Sequence, residues 1–558
     1  MLITNDPARV MRLTGFDSWY RCLPPKLGID SFRSRFPLLV TRDGGTPTLI
    51  AKEIDRTNLE GIPNPGVDLV FHNPYFTFDG LGRPARAHAD VFAAARAVVD
   101  GGQAEIDPSL PLVLFGPLMQ MDGATRAESG HYVVPVHHYV IEPSMNTLPG
   151  AGADPDAAAA AARIADELGE SETVAEWLRR DPGDRFDSLN ELMDSAGIDA
   201  VVASSPVNVQ ELSGIPALQL GGEVYAIYLR SSRRVHVFSR RELAWFGLPE
   251  PGAATAETIR GVLGGARTGV EEEDLTQEAF DGLGLSDLLT AQASVLLRRW
   301  RELRTWVDLE YYLIGSNTTI KAIDSALALV SAAATGDSPA TELDAFRRYR
   351  EVVATEIDRA NRSVRVRPYF THTHAGNRSH IPASATNHVL RPLTTLKIDA
   401  GLEVYDRQGY LRANSDIARS AVGGDAARDF YLTLDHGLTD VLIDACRPGR
   451  TGEQLFAAAT DWLETHRSAL VAAGFAPPID ATFPEMIGRD VGHLLGKQEP
   501  ATVIMAKGNT WELRPGMVAA AEFQWPIGDY CFGVEDCFMT TEGEPLNLTR
   551  RRGQRAAI

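Results

Sequence analysis

The chain has 558 residues, 44% of them hydrophobic and 23% charged, with a formal net charge of −20. That length predicts about two to four globular domains. The acid excess argues against a nucleic-acid face and against attraction to an anionic membrane, either of which needs a basic stripe.

Met1-Leu2-Ile3-Thr4-Asn5-Asp6-Pro7 lacks the basic start and apolar run of a signal peptide. No apolar stretch reaches the roughly 18 residues of a membrane span. Cys22, Cys446, Cys531 and Cys537 are scattered without CxxC spacing, so reduced thiols in a cytoplasmic protein are expected.

In chain order, Leu2-Ile3-Thr4 predicts a strand that enters a turn at Asn5-Asp6-Pro7. The segment that follows has an echo two hundred residues on. Pro7, Val10, Leu13 and Gly15 match Pro206, Val209, Leu212 and Gly214 at one constant offset. Each copy is followed by an apolar strand, Pro37–Val40 in the first and Tyr225–Leu229 in the second. An internal repeat of this kind outranks any local reading. The second copy is introduced by a predicted helix, Phe186–Met193, and a strand, Asp199–Ala203. The first copy lacks the leading helix.

Between the copies, His131, His137 and His138 fall in a Val/Tyr-rich segment that reads as an irregular strand with partly exposed histidines. Asp154-Pro155-Asp156 then starts an Ala-rich run to Arg180, expected to be a solvent-facing helix joining the repeats. Glu271-Glu272-Glu273 reads as solvated surface. From Ala291 to Ala334, Leu296, Leu297, Trp300, Leu303 and Leu313 recur at helical steps. A second helix is predicted over Thr341–Ala360.

The last third carries metal-ligand residue types. Leu396-Lys397-Ile398 predicts a strand that delivers Asp399, and a second aspartate should come from the next strand of the hairpin. Asp416 and Asp406 are the alternatives. His493 stands in Gly492-His493-Leu494-Leu495-Gly496. Glu522 follows Pro515-Gly516-Met517-Val518, and Glu535 stands in Gly533-Val534-Glu535-Asp536. Two aspartates, one histidine and two glutamates form a hard, anionic donor set suited to two divalent ions, with Mn, Fe, Co or Zn as candidates. Several carboxylates facing one cavity without a cation would repel.

The order Asp, Asp, His, Glu, Glu in these contexts resembles the catalytic domain of the M24 metallopeptidases over roughly residues 295–548. The resemblance implies the pita-bread fold of aminopeptidase P, prolidase and creatinase. It also implies that both repeat copies are creatinase-type α/β units. The expected architecture is therefore α/β (α+β). Residues 1–125 form a first creatinase-like domain and 126–184 a linker with a helix. Residues 185–292 form a second such domain, 293–548 the catalytic domain and 549–558 a tail.

Ser415-Asp416-Ile417-Ala418-Arg419 resembles the family's S-D-I-T-R and favours Asp416 as the second ligand. The 17 positions between Asp399 and Asp416 exceed the usual family spacing. Around the implied ligands the chain departs from the peptidases. Gln498 stands where aminopeptidase P and prolidase place a further histidine. Arg489 and Gly533 replace a histidine and an arginine, and Phe523 replaces a proline. Gly376-Asn377-Arg378-Ser379-His380 resembles an upstream family element. It makes His380 the candidate proton donor, with His372, His374 and His388 as competitors.

The resemblance implies a dinuclear metal-dependent hydrolase that cleaves a C–N bond in a small-molecule or short-peptide substrate. An Xaa-Pro aminopeptidase or prolidase is the family default. The alternatives are a specialist similar to ectoine hydrolase or dimethylsulfoniopropionate lyase, and a binding module without catalysis. Three-domain relatives imply a homodimer.

Overall fold

The computed structural model describes residues 1–14, 37–52, 59, 66–72, 88–128, 134–142, 154–179, 185–217, 220, 224–243, 248, 250–303, 306–335, 339–360, 364–376, 385–390, 395–422, 425–472, 490–497, 505–527 and 530–550. The chain folds as mixed α/β units, and the predicted repeat is visible in them.

The first unit contains β1 (Leu2–Thr4), β2 (Leu38–Thr41), β3 (Thr48–Lys52), β4 (Asp68–His72), β5 (Ala104–Ile106) and β6 (Ala124–Arg126) in one sheet of order β4-β3-β2-β1-β5-β6. Helices α1 (Pro7–Thr14), α2 (Val91–Val99) and α3 (Leu112–Met119) belong to it. The second unit contains β7 (His137–Ile141), β8 (Ala200–Ala203), β9 (Val224–Leu229), β10 (Arg234–Ser239), β11 (Gly252–Ala253), β12 (Thr268–Val270) and β13 (Thr290–Gln292), ordered β11-β7-β10-β9-β8-β12-β13. In both, the strand that opens the repeat pairs antiparallel on one side (β1 with β2, β8 with β9) and parallel on the other (β1 with β5, β8 with β12).

The local chemistry of the two copies is also shared. Asp6 Oδ1 accepts from the Ala8 amide at 2.8 Å and starts α1 at Pro7. Ser205 Oγ accepts from the Asn208 amide at 3.3 Å and starts α7 (Pro206–Ser213) at Pro206. A proline in the first turn costs no hydrogen bond there. Gly214, at φ 74°, closes α7 in the left-handed conformation.

Three expectations are corrected. Residues 137–141, placed in the linker, are a strand of the second sheet, paired antiparallel with β10. Tyr139 anchors it, fully buried, with its hydroxyl accepting from the Leu243 amide at 2.7 Å. The Ala-rich run is two helices, α4 (Pro155–Leu168) and α5 (Ser171–Leu178), broken at Gly169. It is not solvent-facing. Ala157, Ala160, Ala161, Ile164 and Leu168 are buried in one cluster with the long helix α11 (Trp306–Thr335). Alanine lets the two helices approach closely. Ile164 and Leu168 each add about 1.5–3 kcal/mol of burial.

Glu271 and Glu272 are buried too, because they cap backbone amides. Glu271 accepts from the Ser204 and Ser205 amides at 2.8 and 2.9 Å. Glu272 accepts from the Ala293 and Ser294 amides at 3.0 Å, at the start of α10 (Ser294–Arg301). The remaining helices of the second unit are α6 (Arg185–Ser195), α8 (Ala256–Leu263) and α9 (Gln277–Gly282).

The C-terminal unit is built on two sheets. In the first, β15 (Leu396–Tyr405) lies between β14 (Arg365–Ala375) on one side and β16 (Leu411–Asn414) and β17 (Ile417–Ala421) on the other. Helices α11 and α12 (Glu342–Ala360) pack on it. The second sheet has the order β18 (Gly492–Leu495), β19 (Val518–Ile527), β20 (Tyr530–Met539), β21 (Leu546–Asn547). A second apolar cluster joins it to helices α13 (Asp425–Thr433), α14 (Thr439–Ala445), α15 (Gly452–Thr465) and α16 (Arg467–Ala472). Two sheets backed by helices and facing a common site make the pita-bread architecture that the sequence implied. Among the described residues, no helix is long and apolar enough to cross a membrane.

Candidate metal centre

Strand register brings the acidic side chains together. Asp399 on β15 pairs with Ala418 on β17, and Asp416 lies two residues before Ala418. Alternation along a strand therefore puts Asp399 and Asp416 on one face. In the other sheet His493 pairs with Ala520, and Glu522, two residues on, pairs directly with Glu535. His493, Glu522 and Glu535 thus share one face.

The two sheets meet at β17 and β20. The Gly533 amide donates to Ser420 Oγ at 2.9 Å. Arg419 donates to Asp536 Oδ1 at 2.6 Å and to the Glu535 carbonyl. Burial alone would lower the Arg419 pKa, but Asp536 and Asp435 hold it above the ordinary value. This buried pair fixes the strand of one ligand set against the strand of the other.

At the join, His493 Nε2 stands 3.8 Å from Asp416 Oδ2, 3.6 Å from Glu522 Oε2 and 3.9 Å from Glu535 Oε1. Donor atoms of Asp416, His493 and Glu535 lie within 4.8 Å of one another. Each gap exceeds a hydrogen bond and can be spanned by an ion about 2.1 Å from either donor. The imidazole is oriented for this. Its Nδ1 lies 3.0 Å from the Leu494 carbonyl, an acceptor only, so Nδ1 carries the proton and Nε2 faces the carboxylates with its lone pair. The donor set and the tautomer both fit divalent metal.

The alternative second ligand is used elsewhere. Asp406 Oδ1 accepts from the amides of Gln408, Gly409 and Tyr410 at 2.9, 2.9 and 3.0 Å, and Oδ2 pairs with Arg412 at 2.7 Å. It closes the hairpin tip between β15 and β16. Asp416 is the aspartate beside His493.

Of the residues expected to handle substrate, His380, Gln498 and Arg489 lie outside the described residues, as do His131 and Cys22. His388 is exposed. His372 and His374 are buried, with rings 6.1 Å apart edge to face. They pair across β14 and β15 with Asp399 and Lys397, so both histidines stand on the face that carries the aspartates.

Sequence reasoning gave Lys397 no role in the site. It is 1% exposed, and its stem lies against Gly533: a Cβ built at 533 would come within 2.7 Å of Lys397 Cδ. The signal was available in the strand alternation, since positions 397 and 399 share a face.

The sequence pattern of Metallopeptidase family M24 matches residues 319–542. The C-terminal unit is an M24 domain. Among solved structures, the X-prolyl aminopeptidase from Caenorhabditis elegans, described as a cytosolic enzyme with a di-nuclear active site, aligns at TM-score 0.56 and 12% identity. That alignment covers 92% of this chain and 81% of that one. The prolidase from Pyrococcus furiosus aligns at TM-score 0.49 and 19% identity, over 65% of this chain and 99% of that one. The Xaa-Pro dipeptidase from Bacillus anthracis aligns at 0.49 and 16%, over 66% and 98%. No curated protein matches the chain. The Caenorhabditis structure shares the fold across the α/β units as well as the M24 domain. The family match supports a metallohydrolase scaffold for this unit.

Proposed function

We propose that the protein is a dinuclear metal-dependent hydrolase that cleaves a C–N bond in a short peptide, with Xaa-Pro substrates as the reference class. The observation that carries this reading is the convergence of His493 Nε2 with three carboxylates within 3.9 Å. Asp399, Asp416, His493, Glu522 and Glu535 are the proposed ligands, and Mn, Fe, Co or Zn the candidate ions. Divalent ions held there supply Lewis-acid polarisation of the scissile carbonyl and acidify water.

The chain's own residues do the rest. Arg419 and Asp536 keep the two ligand strands at fixed separation. The Leu494 carbonyl holds the His493 tautomer. His380 is the proposed proton donor to the departing amine, and Gln498 and Arg489 the proposed substrate contacts. The reading includes a homodimer in the cytoplasm, with an N-terminal unit near a neighbouring site.

A specific observation favours a second reading, a specialist on the same scaffold. Lys397 occupies the space above Gly533, where peptidases of this family carry an arginine, so the wall of the site is rebuilt. Gln498 offers an amide with no useful proton affinity, and losing a positioned acid–base group costs about 10²–10⁴-fold in rate.

The test is kcat/KM on Xaa-Pro dipeptides with Mn²⁺, Co²⁺ and Zn²⁺ supplied in turn. A value of about 10⁴ M⁻¹s⁻¹ or above supports the peptidase. Weaker turnover, with faster hydrolysis of amidine or betaine-type substrates, supports the specialist.

A further inference from the structure

The second α/β unit reaches the metal centre through a buried charge cluster that the proposed chemistry does not use. Helix α7 of that unit is buried along its whole length. Its Glu211, 2% exposed, pairs with Arg185 of the same unit at 2.5 Å and with Lys497 Nζ of the M24 domain at 2.9 Å. Lys497, also 2% exposed, is held at 3.1 Å by Asp308 on α11. Burial would raise the Glu211 pKa, but Arg185 and Lys497 hold it well below the ordinary carboxylate range.

The cluster is joined to both ligand strands. Lys497 is four residues beyond His493, just past the end of β18. With its amide nitrogen turned toward it, the orientation that satisfies both amide atoms, Asn414 donates to the Lys497 carbonyl at 3.1 Å, and Asn414 is two residues before Asp416. The neighbouring residue on α7, Gln210, completes the dock. Its Oε1 accepts from the Leu411 amide at 2.8 Å, and its Nε2 donates to the Leu411 carbonyl at 3.0 Å. Tyr410 donates to the Gly214 carbonyl at 2.7 Å. The long stretch between Asp399 and Asp416 thus forms a hairpin whose tip is gripped by another domain.

We propose that Glu211 is a positioning residue for the metal centre: through Lys497 and Asn414, the second α/β unit holds Asp416 and His493 at the separation that binds ions. The inference rests on the metal-site reading above. Partners outside the ligand shell that orient ligands typically carry about 10–100-fold in metal affinity.

The test is calorimetric titration of the metal-free full chain with Mn²⁺ alone. Glu211→Gln leaves Arg185 and Lys497 facing Asp308 alone, and it should weaken Mn²⁺ binding by about 10-fold or more. Adding Lys497→Gln restores a neutral hydrogen-bonding pair and should recover most of that loss. A merely structural role would lower the melting temperature and leave the affinity of the folded variant unchanged. An affinity within about twofold of wild type in folded Glu211→Gln overturns the proposal. If that variant does not fold, Tyr410→Phe keeps the cluster and removes one docking bond. Weakening of about threefold or more supports the proposal, and an unchanged affinity overturns it. Wild-type protein that takes up no Mn²⁺ overturns the metal-site reading and this inference together, an outcome distinct from equal binding by wild type and variants.

Discussion

Arg419→Met tests the join between the two ligand strands. Arg419 is 6% exposed, and its guanidinium donates to Asp536 Oδ1 at 2.6 Å, to the Ala418 carbonyl at 2.9 Å and to the Glu535 carbonyl. Methionine keeps much of the stem volume and removes these donors. Asp536, 1% exposed, would retain Thr549 Oγ1 at 2.8 Å and Arg550 at 3.0 Å. Removing one partner of a buried ion pair costs about 3–5 kcal/mol. Because Arg550 still faces the carboxylate, the lower end, about 3 kcal/mol, is expected. For a domain of this size, each kcal/mol moves the midpoint by about 2–4 °C, so the M24-domain transition should fall by about 6–12 °C in scanning calorimetry. A fall of less than about 2 °C would refute the reasoning, because it would mean the pair carries under about 1 kcal/mol and behaves as an exposed contact.

Three further outcomes follow from the same geometry. Asp406→Ala should lower stability by about 1–3 kcal/mol, through the lost turn bonds and the loss of the nearer of the two carboxylates that face Arg412, and leave divalent-ion binding intact; loss of binding would return Asp406 to the ligand set. Gly533→Ala should cost about 1–3 kcal/mol by overpacking against the Lys397 stem, and an unchanged melting temperature would show that the stem yields freely. The stability gap between wild type and Glu211→Gln should narrow as pH falls below about 4. The folded carboxyl lies below its unfolded value, so its contribution is present above the unfolded pKa and lost as pH drops; a gap constant from pH 7 to pH 3 contradicts the buried pairing.

Local rules were legible where the chain punctuates itself. Pro7 and Pro206, each behind a capping side chain, marked the repeat, and in both copies the opening strand pairs antiparallel on one side and parallel on the other. The strand bearing Asp399 formed where its apolar run predicted. The errors share one physical origin: a periodicity reports which face of an element is apolar, not what covers it. The alanine face of α4 reads as exposed until α11 packs on it. Glu271 and Glu272 read as solvated because their partners are backbone amides, which no sequence pattern displays. The strand at His137–Ile141 is separated by nearly a hundred residues from its partner β10. The motif Ser415–Arg419 already favoured Asp416; what spacing cannot express is the use of Asp406, which three amides and one arginine hold at the hairpin tip.

The central claim is that Asp416, His493, Glu522 and Glu535, with Asp399 on the same face as Asp416, hold divalent metal. It is tested most directly by metal analysis of the full chain after reconstitution with Mn²⁺ and removal of free ions. The account predicts about two ions per wild-type chain, as bridging carboxylates allow, and loss of bound metal in folded Asp416→Ala. A wild-type chain that retains no metal, or an Asp416→Ala chain that retains the full complement, contradicts it.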